Sequence, residues 1–229
     1  MKISIIIPCF NEEKTISLII DKILSSYSGD KEIIVIDDCS KDNTRKILNT
    51  YLKDKIDKLI LNTRNYGKGY SIRKGVDIAE GDIILIQDAD LEYDPADYNK
   101  LIAPFEKGVA DVVYGSRFLG GDEKRVLYFW HTLGNKFLTI FSNMFSNLNL
   151  TDMEVGYKLF KSDILKDINL IEDRFGFEPE VTAKISKKRI SIFEVGIRYY
   201  GRKYEDGKKI TWRDGISAIR CIIKYNLFK

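Results

Sequence analysis

Histidine is almost absent from this sequence, because His131 is the only one among 229 residues. A single histidine argues against a histidine-based catalytic triad and excludes a zinc site built from several histidines. Cysteine is also scarce: Cys9, Cys39 and Cys221 show neither metal nor redox spacing and form no even set for disulfides. This cysteine usage is typical of a protein of the reducing cytoplasm.

Long apolar runs and the common phosphate-binding motifs are missing as well. No apolar run approaches the roughly 18 residues of a membrane-spanning helix, so we expect this chain not to cross a bilayer. The first residues, MKISIIIPCFNEE, are typical of a first β-strand rather than a signal peptide. Neither G-x-x-x-x-G-K-[ST] nor G-x-G-x-x-G occurs.

The net charge of +3 conceals a strongly basic end of the chain. Residues 184–229 contain 13 Lys or Arg and only 4 Asp or Glu. Such a segment is typical of a solvated face, and it also suits nucleic acid, an anionic membrane surface or a phosphate-bearing substrate. Aromatic residues lie among the cations, but no nucleic-acid-binding module accompanies them, so we expect no nucleic-acid partner.

The first half of the sequence alternates between short apolar runs and segments of helical periodicity. Ile16, Ile19 and Ile20 follow helical spacing, Asn11 is a plausible start for that helix, and Pro95 suits a first helical turn. The alternation predicts an α/β fold with a mostly parallel central sheet flanked by helices. The length predicts one domain, 1–229. The predicted strands are 3–7, 32–36, 58–61, 82–86 and 111–115.

The second half has a different character. Residues 126–150 are rich in aromatics, carry almost no charge, and predict one amphipathic helix or a pair. Core packing and contact with an acyl chain or membrane surface both remain open for this segment. A helix at 178–187, a strand at 190–200, a glycine-bracketed basic loop at 201–209 and a final helix are predicted after it.

Acidic residues follow the predicted fourth strand, in DIILIQDADLEYDP. Ligands of open α/β sheets bind outside the carboxyl ends of the strands, so this is a candidate site. Asp88, Asp90 and Glu92 offer only oxygen ligands, which suit Mg²⁺ or Mn²⁺. The same carboxylates are alternatively caps for the helix that follows Pro95.

Charged residues also follow the other strands. Asp37 and Asp38 suit hydrogen bonds to a base or ribose, or the cap of a helix. Lys68, between two glycines in NYGKG, suits a phosphate or a simple turn. Arg117 and Arg202 suit anionic groups of a substrate, or pairs with surface carboxylates.

Five stretches in order, IIIPCFNEE, IIVIDDCSKDNT, NYGKG, GDIILIQDADLEYDP and YGSRF, resemble family 2 glycosyltransferases of the GT-A fold. The likeness is closest to the dolichol-phosphate mannosyltransferase-like branch and covers nearly the whole chain. It implies a nucleotide-sugar-binding half, 1–117, and an acceptor half, 118–229, with the basic C-terminal segment. LTDMEVGYKLF and GRKYEDGKKI also resemble bacterial members of this branch.

The resemblance also implies roles for individual residues. Arg117 and Arg202 would face the phosphates of donor and acceptor. Phe10 stands where tyrosine is frequent, and His131 stands where members that use lipid phosphate often have arginine. The nucleotide sugar would be held by Pro8, Phe10, Glu12, Asp37, Asp38, Lys68, Asp88 and Ala89, and the Mg²⁺ or Mn²⁺ ion by Asp88, Asp90 and Glu92.

The resemblance implies an inverting transfer of mannose or glucose from GDP-mannose or UDP-glucose to a polyprenyl phosphate. The basic tail and the aromatic segment would hold such an enzyme at the anionic inner face of the cell membrane. A sugar or protein hydroxyl is the alternative acceptor, and it needs a carboxylate base, for which Asp152 and then Glu180 are the candidates. A further alternative is a non-catalytic sugar-nucleotide-binding protein. Such a protein would be expected to lose metal ligands or phosphate-facing arginines, whereas Asp88, Asp90, Arg117 and Arg202 are all present.

Overall fold

A computed structural model describes residues 1–120, 125–126, 128–202 and 212–228. The described residues form one seven-stranded sheet in the order β3-β2-β1-β4-β6-β5-β7. The strands are β1 Ile3–Cys9, β2 Lys31–Asp37, β3 Lys58–Leu61, β4 Ile83–Ile86, β5 Val112–Ser116, β6 Lys158–Lys161 and β7 Ile192–Gly196.

The sheet is parallel except for β6, which runs antiparallel to both β4 and β5. The carboxyl ends of the other strands therefore meet at one edge, together with the amino end of β6. The isoleucine- and valine-rich runs of β1, β2 and β4 are buried on both faces. Such continuous burial is typical of parallel strands covered by helices on each side.

Helices flank the sheet and complete the core. In α1, the residues Ile16, Ile19, Ile20 and Ile23 face the core, as their spacing predicted. Short 3₁₀ turns occupy Lys53–Lys55 and Pro95–Asp97. The helices are α1 Ile16–Ser26, α2 Thr44–Thr50, α3 Lys68–Ile78, α4 Tyr98–Glu106, α5 Phe129–Ser146, α6 Ser162–Lys166, α7 Phe177–Ile185 and α8 Trp212–Leu227.

The five predicted strands are confirmed with bounds that differ by at most two residues, and the mostly parallel α/β architecture is confirmed with them. The predicted helix start at Asn11 is wrong, because Asn11 adopts a left-handed conformation with φ 52° and α1 begins at Ile16. The strand predicted at 190–200 ends at Gly196. The residues after Gly196 no longer pair with β5, and Tyr199 forms an isolated β-bridge with Tyr93.

One central strand was not predicted. β6 lies between β4 and β5, so a segment of the predicted acceptor half completes the sheet of the nucleotide-binding half. The described residues of the aromatic segment 126–150 contain a single helix, α5 at Phe129–Ser146, and the helix predicted at 178–187 is α7 at Phe177–Ile185. Of the predicted basic loop 201–209, only residues 201 and 202 lie within the described part of the chain.

Among the helices of the described residues, none combines the length and the apolar character that crossing a membrane requires.

Candidate active site

Three neighbouring strands end in sharp turns at the same edge of the sheet. Asn11 after β1, Cys39 after β2 and Leu91 after β4 have φ values of 52°, 64° and 63°. Non-glycine residues seldom adopt this left-handed conformation, which costs about 1–3 kcal/mol each and persists where surrounding contacts hold it. Such strain clusters at functional sites. The turns make this edge the candidate active site and bring its polar side chains together.

Asp38 holds the NYGKG segment in place. Its buried carboxylate accepts hydrogen bonds from the backbone nitrogens of Tyr66 (2.9 Å) and Gly67 (2.7 Å) and from the Asn62 side chain (2.9 Å). Gly67 has φ 111°, and a Cβ there would overlap the backbone of Asp173. The segment is therefore a constrained turn that begins α3 at Lys68, and the contact of Asp38 with a nucleoside stays a prediction.

Asp37 is fully buried and is not a helix cap, since Asn43 occupies the cap position of α2. Its Oδ2 accepts from Arg45 Nε (2.5 Å) and Ser40 N (3.1 Å), whereas its Oδ1 has no hydrogen-bond partner in the described part of the chain. Pro8 and Phe10 lie half-buried at the end of β1, and Ala89 is buried after β4. Their donor contacts stay predictions.

Lys68 links two acidic side chains from different elements. Its Nζ lies 2.8 Å from Asp88 Oδ1 and 3.0 Å from Glu178 Oε1 in α7. Although burial opposes it, the charges of these carboxylates raise the pKa of Lys68 well above its ordinary value. A permanent cation therefore lies beside the exit of β4.

The surroundings of Asp90 disfavour its ionised form. Burial first, and then the charges of Asp88 and Glu92, raise the pKa of Asp90 to about 7 against the opposing effect of Arg202. Asp88 is paired with Lys68. Glu92 is also engaged, since Oε2 accepts from Tyr199 Oη (2.8 Å) and Oε1 from the backbone nitrogen of Arg202 (2.7 Å).

These contacts test whether the predicted metal ligands fit a divalent cation. No group of three metal-ligating side chains is assembled among the residues described. The all-oxygen donors and the buried charge of Asp90 fit Mg²⁺ or Mn²⁺, with Asp88 beside it. The oxygens of Glu92 accept from Tyr199 and Arg202, and both oxygens of Asp88 lie within 3.1 Å of Lys68 Nζ, so each of these two side chains would bind a metal only through its remaining lone pairs. The metal set stays a prediction.

Arg202 connects the segment after β7 with the exits of β1 and β4. Its Nη2 lies 2.7 Å from Glu12 Oε2, and its Nε and Nη2 donate to the carbonyl of Asp90 at 3.1 and 3.0 Å. Two residues predicted to bind the donor, Glu12 and Arg202, therefore contact each other.

Arg117 is held by Asp152 through three hydrogen bonds. Arg117 Nε and backbone nitrogen donate to Asp152 Oδ2 at 2.7 and 3.0 Å, and Nη2 donates to Oδ1 at 2.6 Å. Asp152 is 0% exposed. Burial opposes charging Arg117, but the Asp152 charge raises the pKa of the guanidinium well above its ordinary value. Asp152 is thus an anchor for Arg117 in this structure.

Glu180, the second candidate base, is equally engaged. Its oxygens accept from the backbone nitrogens of Ile171 and Glu172, both at 2.8 Å, and from Lys184 at 2.5 Å. It is buried inside α7. A base role for Asp152 or Glu180 stays a prediction, and the observed contacts disfavour it.

Several site residues had no signal in the sequence. Tyr93 stacks on Tyr157 and contacts Tyr199, with ring centroids 4.8 and 5.4 Å apart, so the segment after β7 packs onto the exit of β4. The backbone nitrogen of Gly156 donates to Tyr93 Oη at 2.9 Å. Glu154 and Lys158 lie in the LTDMEVGYKLF stretch, where only the resemblance drew attention to them.

The α5 helix has an unusual distribution of side chains. Its buried residues are Thr139, Ser142 and Ser146. The large apolar side chains on its other face are exposed, with Trp130 at 77% and Met144 at 73%. Core packing therefore does not account for these apolar side chains. The exposed stripe consists of Trp130, Leu133, Phe137, Ile140 and Met144.

Comparison with known proteins identifies the family. The model of glycosyl transferase family 2 matches residues 4–168. An uncharacterized protein of Methanocaldococcus jannaschii is 31% identical over 96% of this chain and 97% of its own length. Dolichol-phosphate mannosyltransferase of Pyrococcus furiosus is 27% identical over 92% of this chain. Undecaprenyl-phosphate 4-deoxy-4-formamido-L-arabinose transferase of Proteus mirabilis is 26% identical over 90%. The matches span 61% and 62% of these two transferases.

A solved structure supports the same fold. Glucosyl-3-phosphoglycerate synthase from Mycobacterium tuberculosis matches 100% of this chain and 82% of its own, with a TM-score of 0.76 and 18% sequence identity. At that identity the likeness shows the fold alone, which is GT-A. The predicted resemblance is confirmed: this chain has the GT-A fold and belongs to glycosyl transferase family 2.

Proposed function

We propose that this glycosyltransferase moves a hexose, mannose or glucose, from a nucleotide diphosphate sugar to a polyprenyl phosphate, with inversion. One observation carries the choice of acceptor: the oxygens of both candidate bases, Asp152 and Glu180, are engaged by protein donors. A hydroxyl acceptor must lose a proton, whereas a phosphate is already ionised at neutral pH. The engaged carboxylates therefore favour the phosphate.

The donor diphosphate would lie at the edge where Lys68, Asp90 and Arg202 meet. The side chains of Lys68 and Arg202 would bind the phosphate oxygens as cations. Asp88 fixes the position of Lys68, and Glu12 fixes that of Arg202, before the donor binds. Asp90, with Asp88, would hold Mg²⁺ or Mn²⁺, which would neutralise charge on the departing diphosphate. In support, the M. tuberculosis synthase was solved with Mn²⁺ and UDP-glucose.

The reaction then needs no proton transfer. An oxygen of the acceptor phosphate forms a bond to the anomeric carbon, the bond from that carbon to the donor diphosphate breaks, and the configuration inverts. Arg117, fixed in orientation by Asp152, offers a guanidinium at the exit of β5 for the acceptor phosphate. The names of the P. furiosus and P. mirabilis relatives support an acceptor of this class.

The acceptor lipid would be reached from a membrane surface. The exposed apolar stripe of α5 suits insertion at the boundary of headgroups and acyl chains. The basic C-terminal part adds attraction to anionic lipids. Both features support peripheral association with the inner face of the cell membrane.

A transfer assay tests this proposal. The protein is incubated with Mg²⁺ or Mn²⁺, a polyprenyl phosphate, and radiolabelled GDP-mannose or UDP-glucose, and label is counted in the butanol-extractable lipid. We expect label from one donor, lost in Asp90→Asn and retained in Asp94→Asn, whose carboxylate caps the Pro95–Asp97 turn and approaches Lys22. Slow hydrolysis of a donor without labelled lipid would show that the acceptor is wrong.

A further inference from the structure

Glu194 of β7 holds the loop that presents Asp152 to Arg117. Both oxygens of its carboxylate accept from the backbone nitrogen of Thr151, at 2.8 and 2.9 Å. Its Oε1 also accepts from the Thr151 hydroxyl and from the backbone nitrogen of Asp152, each at 3.2 Å. Hydrogen bonds to an ionised group are roughly twice as strong as neutral ones, so this single carboxylate fixes two consecutive residues of the loop.

The Thr151 hydroxyl extends this contact to the turn after β5. Because it donates its proton to Glu194, it accepts from the Ser116 hydroxyl, whose oxygen lies 2.6 Å away. The same Ser116 oxygen accepts from the backbone nitrogens of Phe118 and Leu119, both at 3.1 Å. The two hydroxyls therefore donate in one direction, toward Glu194, and they connect its carboxylate with the turn 116–119.

Arg117 is thus held in two ways by contacts that end at Glu194. Its backbone lies in the turn 116–119, which is connected with Glu194 through the two hydroxyls. Its guanidinium donates to Asp152 at 2.7 and 2.6 Å, and the backbone nitrogen of Asp152 donates to Glu194. The position of the guanidinium therefore depends on Glu194.

We propose that Glu194 is a positioning residue for the anionic acceptor: it fixes Asp152 and the turn after β5, and thereby directs the Arg117 guanidinium at the acceptor phosphate. The inference rests on the proposed acceptor-binding role of Arg117. A displacement of about 1 Å can cost about a hundredfold in rate, so a residue that acts through Arg117 still affects transfer. Among the described residues, no hydrogen bond or ion pair joins Glu194 to Lys68 or Arg202, so donor binding should be independent of it.

Glu194→Gln tests this role with a side chain of nearly the same shape. Its amide nitrogen would stand where a carboxylate oxygen accepts from Thr151, so the loop loses part of its anchor. The KM for polyprenyl phosphate in detergent micelles should rise about tenfold, as expected for one lost hydrogen bond to a charged group. The kcat, and the calorimetric affinity for GDP-mannose or UDP-glucose, should stay at wild-type values. An unchanged acceptor KM would overturn the proposal, as would an equal loss of donor affinity.

Glu32→Gln is the matched control for a purely structural effect. Glu32 is a buried carboxylate that accepts from the backbone nitrogens of Glu80 (2.5 Å) and Gly81 (3.2 Å). It lies near the start of β2, at the edge of the sheet opposite the candidate site. Glu32→Gln should lower the thermal stability and leave the acceptor KM unchanged. Equal rises of the acceptor KM in both variants would overturn the positioning role.

Two further variants test the route by which Glu194 acts. Thr151→Val removes the hydroxyl between Glu194 and Ser116 and should also raise the acceptor KM. Adding Glu194→Gln to Asp152→Asn should raise the acceptor KM by less than it does in the wild-type background, because residues of one hydrogen-bond network are coupled. Full additivity of the two changes would contradict an action through Asp152.

The Nε proton of Arg117 provides a readout that needs no acceptor. It donates to Asp152 Oδ2, so its nuclear magnetic resonance signal, assigned with Arg117→Lys, should exchange slowly with water. Glu194→Gln should accelerate this exchange about tenfold or more, and Glu32→Gln should not. Unchanged exchange in Glu194→Gln would overturn the positioning role. Faster exchange in Glu194→Gln, with no labelled lipid from the wild type, would support the positioning of Arg117 and contradict only the proposed acceptor.

Discussion

Arg202 and Glu12 form an ion pair, with 2.7 Å between Nη2 and Oε2, although they are 190 positions apart in the sequence. The same guanidinium donates to the carbonyl of Asp90, and the backbone nitrogen of Arg202 donates to Glu92. The segment after β7 is thereby fastened to the exits of β1 and β4. A donor phosphate that binds Arg202 must share the guanidinium with Glu12. The ion pair therefore determines where the guanidinium lies and how strongly it can bind the phosphate.

Replacing Arg202 by lysine keeps the charge but removes the planar fork that reaches Glu12 and the Asp90 carbonyl together. Each charge-assisted hydrogen bond contributes about 1.5–3 kcal/mol, so kcat/KM for the donor should fall about tenfold to a hundredfold. Arg198→Lys is the matched control, because Arg198 pairs with Asp97. Equal activity of Arg202→Lys and wild type would show that the fork is not required.

Gly156 is expected to tolerate no side chain. A Cβ there would overlap the Asp88 carboxylate, so Gly156→Ala should displace Asp88, lower the free energy of unfolding by about 1–3 kcal/mol and reduce transfer. Gly134→Ala in α5 has open space around its Cβ and should be neutral or stabilising, because alanine favours a helix by about 1 kcal/mol over glycine. Thermal unfolding and transfer rates of the two variants measure the difference, and similar behaviour in both would contradict the close packing of Gly156 on Asp88.

Metal binding should depend on Asp90. Burial and the charges of Asp88 and Glu92 disfavour the ionised form of Asp90, and a bound cation would stabilise it. We therefore expect Mn²⁺ to bind in the presence of a nucleoside diphosphate. Asp90→Asn should weaken this binding at least tenfold, since a charged ligand is lost. Electron paramagnetic resonance of free Mn²⁺ measures the effect directly. Chelation should abolish transfer, and added Mg²⁺ or Mn²⁺ should restore it. Transfer that persists in excess chelator would exclude a metal requirement.

The exposed stripe of α5 should bind membranes. The double variant Phe137→Ser and Ile140→Ser removes two exposed apolar side chains. Burial of each side chain in the membrane contributes about 1.5 kcal/mol or more to binding, so vesicle affinity should fall at least tenfold. Sedimentation with anionic vesicles at low salt measures it. Tyr51→Ser removes a still more exposed side chain, far from α5 in sequence, and should leave binding unchanged. Equal sedimentation of the double variant and wild type would contradict a membrane role for α5.

The sequence predicted most of the sheet because its strands are continuous apolar runs. It did not predict β6, since YKLFK places lysines within a four-residue strand and Lys158 is buried there through contacts with its own loop. Local spacing cannot reveal such a strand, because its neighbours β4 and β5 come from distant parts of the chain.

The candidate site was predicted only in part for a similar reason. The rule that ligands bind at strand ends located Asp88, Asp90 and Arg117 at one edge. Their partners come from elsewhere: Lys68 reaches Glu178 across 110 positions, and Arg117 reaches Asp152 across 35. These pairings decide which carboxylates are available for chemistry, and they arise from tertiary packing. Sequence alone therefore left Asp152 open as a base.

The acceptor can be tested most directly with a matched pair of lipids, a polyprenyl phosphate and the corresponding polyprenol, each offered with the labelled donor to the wild type and to Asp152→Asn. The account predicts label in the phosphate only. Asp152→Asn should lose about 3 kcal/mol of stability from its buried pair with Arg117 and show a raised KM for the lipid, yet still transfer. Label in the polyprenol that disappears completely in Asp152→Asn would contradict the account and make Asp152 the base.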